Sequence, residues 1–211
     1  MIFRQIKVGP MQNFCYIIGD EKSKESVVAD SGWEIDRIMR IADDEKLNIK
    51  KIILTHSHYD HVQKINELAA RTKADVYFHK LENDEIKKFG IKNAKFFSKD
   101  NEELKAGAIK IKVMHTPGHT PGGICLLFEN KLITGDTLFV NAVGRTDLPG
   151  GDAIKLFESL QKLKKLSDNT EVYPGHDYGE VPHSTIGTEK KNNPYFMCKS
   201  KEQFLNLLGM N

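Results

Sequence analysis

The chain has 211 residues, a formal net charge of +2, and 39% hydrophobic and 28% charged residues. This composition is typical of a globular protein with a hydrophobic core, and it excludes a strongly basic chain built to bind nucleic acid. Three cysteines without a Cys-x-x-Cys motif argue against a disulfide framework and predict a reducing, cytoplasmic compartment. The first residues lack the apolar stretch of a signal peptide, and no segment reaches the length of a membrane span, so no membrane partner is expected.

Strands and helices are mixed along the first half of the chain. Continuous or alternating apolar residues predict strands over residues 2–8, 13–19, 26–30, 51–54 and 75–79. Helical spacing predicts helices over residues 33–47, 62–72 and 81–89. The polar segment 96–106 is expected to be irregular.

The second half begins with strands and ends with helices. Strands are predicted over residues 108–115, 122–128, 131–134 and 171–173, and helices over 152–166, 184–193 and 202–208. Asp152 is the expected N-cap of the first of these helices, and its expected buried stripe is Ile154, Phe157, Leu160 and Leu163. The order predicts an α/β protein, and a layered αββα sandwich fits it better than a strictly alternating parallel fold.

The segment 55–61, Thr-His-Ser-His-Tyr-Asp-His, carries three imidazoles and one carboxylate within six residues. These groups are ligands for zinc, iron and manganese. The segment follows a short apolar strand, and open α/β sheets place their sites at the carboxyl ends of strands. A loop turns all four side chains inward more readily than a helix. The alternative is a histidine-rich surface turn.

Three later loops, 115–123, 134–139 and 173–179, also follow predicted strands and also contain ligand-type side chains. Each places His119, Asp136 or His176 directly after a glycine, which permits the tight backbone needed to aim a short side chain at an ion. A single Gly-His or Gly-Asp pair is more often a turn than a ligand. Four such loops after four strands predict one site.

Seven side chains are the candidate metal ligands: His56, His58, Asp60, His61, His119, Asp136 and His176. Seven ligands suit two divalent ions that share a carboxylate and activate a water for attack on a carbonyl or phosphoryl centre. The same residues also permit a single-ion interpretation, because two imidazoles and one carboxylate form the facial triad of non-haem iron oxygenases. Spacing alone leaves both open.

The pattern His56-x-His58-x-Asp60-His61, followed by His119, Asp136 and His176, closely resembles the metallo-β-lactamase-fold superfamily. Within it, the chain looks like the glyoxalase II (hydroxyacylglutathione hydrolase) branch. The resemblance implies a four-layer αββα metallo-β-lactamase sandwich. It also implies two metal ions, zinc first, with iron or manganese as alternatives.

The resemblance also assigns the ligands. It implies that one ion is held by His56, His58 and His119, and that the other is held by Asp60, His61 and His176. Asp136 would bridge them, and Asp60 and Asp136 are the expected catalytic carboxylates. A metal-bridging hydroxide would attack a thioester carbonyl.

Two departures from glyoxalase II bear on the substrate. The chain is expected to be a single domain over 1–211, with a short C-terminal helical tail and without the helical extension that supplies much of the glutathione site. The segment 144–147, Gly-Arg-Thr-Asp, resembles both short glyoxalase II-like hydrolases and persulfide dioxygenases. In the dioxygenases only the positions of His56, His119 and Asp136 hold a single iron. A mononuclear iron persulfide dioxygenase is therefore the alternative function, and acyl-homoserine lactonases share the motif.

Arg145 and Tyr178 are the candidate substrate-binding residues, since arginine binds carboxylates through two parallel hydrogen bonds. The alternative for Arg145 is an ion pair with Asp147 or Asp152. Tyr59 is expected to point out of the metal site. The expected partner is a small-molecule thioester or thiol-derived substrate, and no nucleic acid is expected.

Overall fold

The computed structural model describes residues 1–91 and 94–210. Its first sheet has six strands, in the order in which they follow one another along the chain. They are β1 (Ile2–Val8), β2 (Asn13–Gly19), β3 (Glu25–Ala29), β4 (Asn48–Ile53), β5 (Asp75–His79) and β6 (Ala94–Phe97). The strands β1 to β3 are antiparallel, whereas β3 to β6 are parallel.

The second half of the chain forms another six-stranded sheet and a two-stranded ribbon. The strands are β7 (Glu102–Ala106), β8 (Ile109–His115), β9 (Ile124–Phe128), β10 (Lys131–Gly135), β11 (Leu138–Phe139), β12 (Ala142–Val143), β13 (Glu171–Pro174) and β14 (Ser184–Thr185). In the sheet the order is β14-β13-β10-β9-β8-β7, while β11 and β12 form the ribbon. Only the pairing of β10 with β13 is parallel among the described strands of this sheet.

Helices lie between the strands along the chain, and three more follow the last strand, β14. They are α1 (Ile35–Asp44), α2 (Tyr59–Val62), α3 (Ile65–Thr72), α4 (Asn83–Lys88), α5 (Ala153–Leu163), α6 (Ile186–Asn192), α7 (Pro194–Met197) and α8 (Lys201–Leu207). A 3-10 turn over Lys80–Glu82 precedes α4. Within the described ranges, no helix is both long and apolar enough to cross a membrane.

Three apolar clusters lie between the four layers of the αββα order. The first cluster joins the first sheet to α1, α3 and α4, and it includes Ile38, Ile52 and Leu68. The second cluster lies between the two sheets, and the third joins the second sheet to α5 and the C-terminal helices. Because buried apolar surface contributes about 25 cal/mol per Å², each sheet gains stability from both of its faces. The predicted four-layer sandwich is confirmed.

The segment 96–106 corrects the prediction of irregular structure. Phe97 ends β6, which adds a parallel strand beside β5, and Leu104 and Ala106 of β7 are buried against β8. The charged residues that alternate with Leu104 and Ala106 in β7 face solvent, because one face of this edge strand is exposed. Two apolar residues in alternation are too few to separate such a strand from a polar loop.

Two helices near the C-terminal end also differ from their predictions. In α5, Ile154 is exposed and is not part of the buried stripe, which instead contains Ala153 and Leu156. The predicted helix over 184–193 begins with the short strand β14, and the chain resumes a helix at Pro194. Proline fits there because it occupies the first turn, where no helical hydrogen bond needs its missing N–H.

Candidate metal centre

The predicted ligands come from both sheets and meet at one edge of the sandwich. The segment 55–61 follows β4 of the first sheet, while the loops carrying His119, Asp136 and His176 follow β8, β10 and β13 of the second. The expectation that a loop carries the first group is wrong in part. His58 is the N-cap of the one-turn helix α2, on which Asp60 and His61 lie.

Each of the seven side chains lies within a few ångströms of at least two others. Nε2 of His176 lies 3.3 Å from an oxygen of Asp60 and 3.3 Å from one of Asp136. Nε2 of His61 lies 3.2 Å from Nε2 of His176, and Asp136 is 3.5 Å from the nearest ring nitrogens of both His61 and His119. Three groups have donor atoms that all lie within 4.8 Å of one another: His56, His58 and His119; His56, His61 and Asp136; and Asp60, His61 and His176.

The imidazoles are oriented by hydrogen bonds on the side facing away from the centre. Nδ1 of His119 is 2.7 Å from the carbonyl oxygen of Arg145, and Nδ1 of His176 is 2.9 Å from that of Met11. Each carbonyl accepts a hydrogen bond from a protonated Nδ1, and in that neutral tautomer the Nε2 lone pair is free to bind a cation. Such outer contacts are typical of metal-binding histidines.

Two buried residues that the sequence analysis did not single out support this arrangement. Asp30 accepts hydrogen bonds from the backbone N–H and the hydroxyl of Thr55, at 2.8 and 2.7 Å, and its carboxylate lies 3.2 Å from Nδ1 of His61. Asn13 donates to the carboxylate of Asp60 at 2.6 Å. Asp30 thus places a negative charge against the ring of His61, and Asn13 orients the carboxylate of Asp60.

A third buried residue, Glu82, joins two of the loops. Its carboxylate accepts hydrogen bonds from the Ser57 N–H at 3.0 Å, from the Ser57 hydroxyl, and from the Gly122 N–H at 2.5 Å. Ser57 lies between His56 and His58, and Gly122 lies in the loop that carries His119. The side chain is only 1% exposed, so a single carboxylate positions ligands from both sheets.

Two positions beside the centre require glycine. Gly135 adopts φ +48°, which favours glycine, and a Cβ on Gly175 would clash with the carboxylate of Asp136. The N–H of Gly175 also donates to the carbonyl of Gly135 at 2.8 Å. These close approaches bring Asp136 and His176 into contact across parallel strands.

The charges in the centre shift the pKa values of the candidate ligands in both directions. Burial and the neighbouring imidazoles lower the pKa of His56 well below its usual value. Burial alone would raise the pKa of Asp136, but His61 and His176 outweigh it and lower this pKa. Burial opposes protonation of His176 as well, yet Asp136 and Asp60 raise its pKa to about 10. A cation bound here replaces that proton, because histidine ligates in its neutral form.

The donor set fits divalent metal ions. Nε2 of His56 and Oδ1 of Asp136 are buried in the described structure without a hydrogen-bond partner. A buried polar atom without a partner is destabilising by roughly 1–3 kcal/mol, and a cation between these atoms would remove that penalty. Five imidazoles and two carboxylates also match the nitrogen and oxygen ligands that zinc, iron and manganese accept.

A cavity of about 610 Å³ opens directly over the centre. Phe139, Val143 and Leu148 line it together with Arg145 and Tyr178, the predicted substrate-binding residues. The ring of Tyr178 stacks on His176 with centroids 4.5 Å apart. Arg145 forms two hydrogen bonds with Asp147, each 2.6 Å long. The alternative expected for Arg145, an ion pair, is therefore present beside the cavity.

A second cavity of about 620 Å³ lies next to the first. The two share His58, Tyr59 and Leu148 as a common wall. Tyr59 is 55% exposed and packs edge-on against Trp33, with centroids 6.0 Å apart. As predicted, it points away from the ligands, and it divides the space above the centre.

The fold and the ligand pattern are shared with known proteins. The family model described as the metallo-beta-lactamase superfamily matches residues 8–176. The probable polyketide biosynthesis zinc-dependent hydrolase BaeB of Bacillus velezensis is 37% identical over 195 residues, which span 92% of this chain and 86% of that protein. The hydroxyacylglutathione hydrolase GloC of Haemophilus influenzae is 32% identical over 212 residues, spanning 92% and 98% respectively.

Solved structures show the same similarity. The crystal structure of ETHE1 from Myxococcus xanthus has a TM-score of 0.88 and 33% identity, and the match covers 99% of this chain and 90% of that one. TTHA1623 in a di-iron-bound form has a TM-score of 0.77 and 30% identity, with 91% and 99% covered.

Proposed function

Since the chain belongs to the metallo-beta-lactamase superfamily, we propose that it is a dinuclear metal-dependent hydrolase that cleaves a thioester. The observation that carries the proposal is the convergence of seven ligand-type side chains in three overlapping groups, the middle one of which contains Asp136. Similarity to a hydroxyacylglutathione hydrolase supports the thioester as the substrate class. A cytoplasmic location is part of the proposal and is supported by three cysteines that are all free and buried.

The proposed ligand assignment follows the geometry. His56, His58 and His119 would hold one ion, and Asp60, His61 and His176 would hold the other. Asp136 would bridge them, since its carboxylate faces His119, His61 and His176 at 3.3–3.5 Å. Two divalent ions would supply Lewis acidity toward a carbonyl and a hydroxide at neutral pH. Similarity to a zinc-dependent hydrolase and to a di-iron protein supports zinc first, with iron or manganese as alternatives.

The other residues of the first cavity would bind the substrate. Arg145 and Tyr178 offer hydrogen-bond donors at the cavity wall, suited to a polar thiol carrier. Phe139 and Leu148 exclude water from the reacting bond, which strengthens the electrostatic interactions there. Asp60 and Asp136 are the catalytic carboxylates of this proposal.

A mononuclear iron persulfide dioxygenase is the second candidate. The similarity to ETHE1 at 33% identity favours it. In this candidate His56, His119 and Asp136 hold one iron, while Asp60, His61 and His176 remain as neighbours of the metal. The two candidates therefore differ in the number of ions and in the importance of the second group of ligands.

The first experiment measures metal per chain by elemental analysis on protein purified without a metal-binding tag. The same protein is assayed for thioester hydrolysis with a hydroxyacylglutathione and for oxygen uptake with a thiol persulfide. We expect two equivalents of metal, hydrolysis, and no oxygen uptake. One equivalent of iron with persulfide-dependent oxygen uptake would contradict the hydrolase and establish the alternative.

Variants of the second ligand group sharpen this test. His61→Ala and His176→Ala are each expected to reduce the metal content toward one equivalent and the hydrolysis rate at least a hundredfold, because each removes a ligand of one ion. His183→Ala, an exposed histidine outside the centre, is the matched control and should keep both. Hydrolysis that survived both ligand changes undiminished would contradict a two-metal site.

A further inference from the structure

We infer that the second cavity is the acyl site of this enzyme, and that the enzyme accepts acyl groups much longer than a small hydroxyacyl. This inference rests on the proposed thioester hydrolase function and specifies its substrate class. The observation that carries it is the presence of two cavities of similar size, about 610 and 620 Å³, which lie on either side of His58 and Tyr59.

The position of the cavities fits the two ends of a thioester. When the reacting carbonyl is at the metal centre, the acyl group and the thiol carrier must leave it in different directions. His58 borders both cavities and donates a ring nitrogen to the centre, 2.8 Å from that of His119. A substrate bound at His58 can therefore place one end in each cavity.

The walls indicate which end enters the second cavity. Leu81, Phe89, Pro121, Leu148 and Pro149 line it, so much of its surface is apolar. The first cavity is largely apolar as well, with Phe139 and Val143 in its lining, and it differs in carrying Arg145 and Tyr178. Apolar contact with the second cavity would instead stabilise a hydrocarbon chain, at about 0.8 kcal/mol for each buried methylene.

The charges at this cavity disfavour an anionic occupant. Asp84 and Glu85 line it, and the one lysine of its described lining, Lys88, is already paired with Glu85 at 2.7 Å. Glu82 is also negative, but both of its oxygens accept hydrogen bonds from the two metal-binding loops. A carrier rich in phosphates or carboxylates would meet net negative charge here, whereas an uncharged acyl chain would not.

The size of the cavity sets the length of the acyl group. Ligand sites for molecules of drug size typically enclose roughly 300–1,000 Å³. A volume of about 620 Å³ lies in the middle of that range, far more than a lactoyl group would fill. The site therefore has room for acyl chains much longer than lactoyl.

The test uses glutathione thioesters of butanoate, hexanoate and octanoate with the metal-loaded protein. We expect kcat/KM to rise about two- to fourfold for each added methylene. Leu81→Glu, which places a charge at a 53% exposed wall position, should abolish this rise. Leu207→Glu, at a similarly exposed leucine on α8, is the matched control and should keep the wild-type chain-length profile.

A binding measurement separates this inference from the proposed function. Calorimetric titration with butanoate and octanoate requires no turnover, and octanoate should bind at least tenfold more tightly to the wild type than to Leu81→Glu. That result without any thioester hydrolysis would refute the hydrolase but keep the cavity as an acyl-chain site. Equal octanoate binding by both proteins, or hydrolysis independent of chain length, would overturn the inference.

Discussion

Glu82 connects ligand-bearing loops of the two sheets through one buried carboxylate. One of its oxygens accepts hydrogen bonds from the N–H and the hydroxyl of Ser57, and the other accepts one from the Gly122 N–H. A group that positions ligands from outside the first coordination sphere commonly changes metal affinity by roughly 10–100-fold when it is replaced. Its contribution should therefore be measurable in metal binding.

Replacing Glu82 with glutamine tests this role. The amide presents two N–H donors where one oxygen now accepts, so either Ser57 or Gly122 loses its acceptor. We expect metal affinity, measured by competition with a chromophoric chelator, to fall at least tenfold. Glu85→Gln, an exposed glutamate on the adjacent helix, should leave affinity within twofold. Equal affinity of both variants would show that Glu82 does not position the ligands.

The sequence indicates the candidate ligands more clearly than the residues that support them. Histidines clustered in 55–61 are rare enough to stand out, and His119 and His176 follow glycines after predicted strands. Asp30 and Glu82 have no such context, because a single carboxylate after a strand or in a charged turn is common in any protein. Their partners lie 25 residues or more away, and only the packed sheets bring them together.

The elements that carry the site are short, and their ends are fixed by specific caps. The carboxylate of Asp152 accepts a hydrogen bond from the Lys155 N–H at 2.9 Å, which makes it the predicted N-cap of α5. The Asp152 N–H also donates to the carbonyl of Gly118 at 2.8 Å. The start of α5 thus also holds the loop next to His119.

Asp152→Ala should lower the free energy of unfolding by about 1 kcal/mol, because the cap hydrogen bond is lost. Chemical denaturation of the metal-loaded protein measures this change. Glu158→Ala, a change on the same helix, removes an exposed ion pair with Lys201 of α8, so its effect should stay below about 0.5 kcal/mol. A loss from Glu158→Ala as large as that from Asp152→Ala would contradict the capping role.

Elements with a strong apolar pattern are predictable from the sequence. Elements that depend on hydrogen bonds to neighbouring strands are not. The strand Asn13–Gly19 is buried throughout and was identified with its observed bounds. The strands Ala94–Phe97 and Glu102–Ala106 lie at sheet edges and contain exposed charges. They are strands because β5 and β8 supply hydrogen-bonding partners, and a pattern within four or five residues cannot report such partners.

At the scale of the whole molecule, metal ions would hold the two sheets together. Four of the proposed ligands follow β4 in the first sheet, and three follow strands of the second. Backbone bonds also join the sheets there, since the Phe14 N–H donates to the carbonyl of Gly175 at 2.8 Å. The metal-free site brings five imidazoles close together, and several of them repel one another when protonated.

Removal of metal should therefore destabilise the protein. Ligand binding to the folded state stabilises it by about 4 kcal/mol when the free ligand exceeds its dissociation constant a thousandfold. We expect chelation to lower the thermal midpoint by at least 10 °C, and added zinc to restore it. His61→Ala should show a smaller shift than the wild type. A midpoint unaffected by chelation would contradict a tightly bound structural role for the ions.

The edge position of the centre also determines when it forms during synthesis. The first four proposed ligands leave the ribosome well before residue 176, and β13 must pair beside β10 before His176 reaches Asp136. A nascent chain that ends before this strand can offer only an incomplete set of ligands. Metal capture at full affinity is therefore a late event, and it reports that both halves of the polypeptide have assembled.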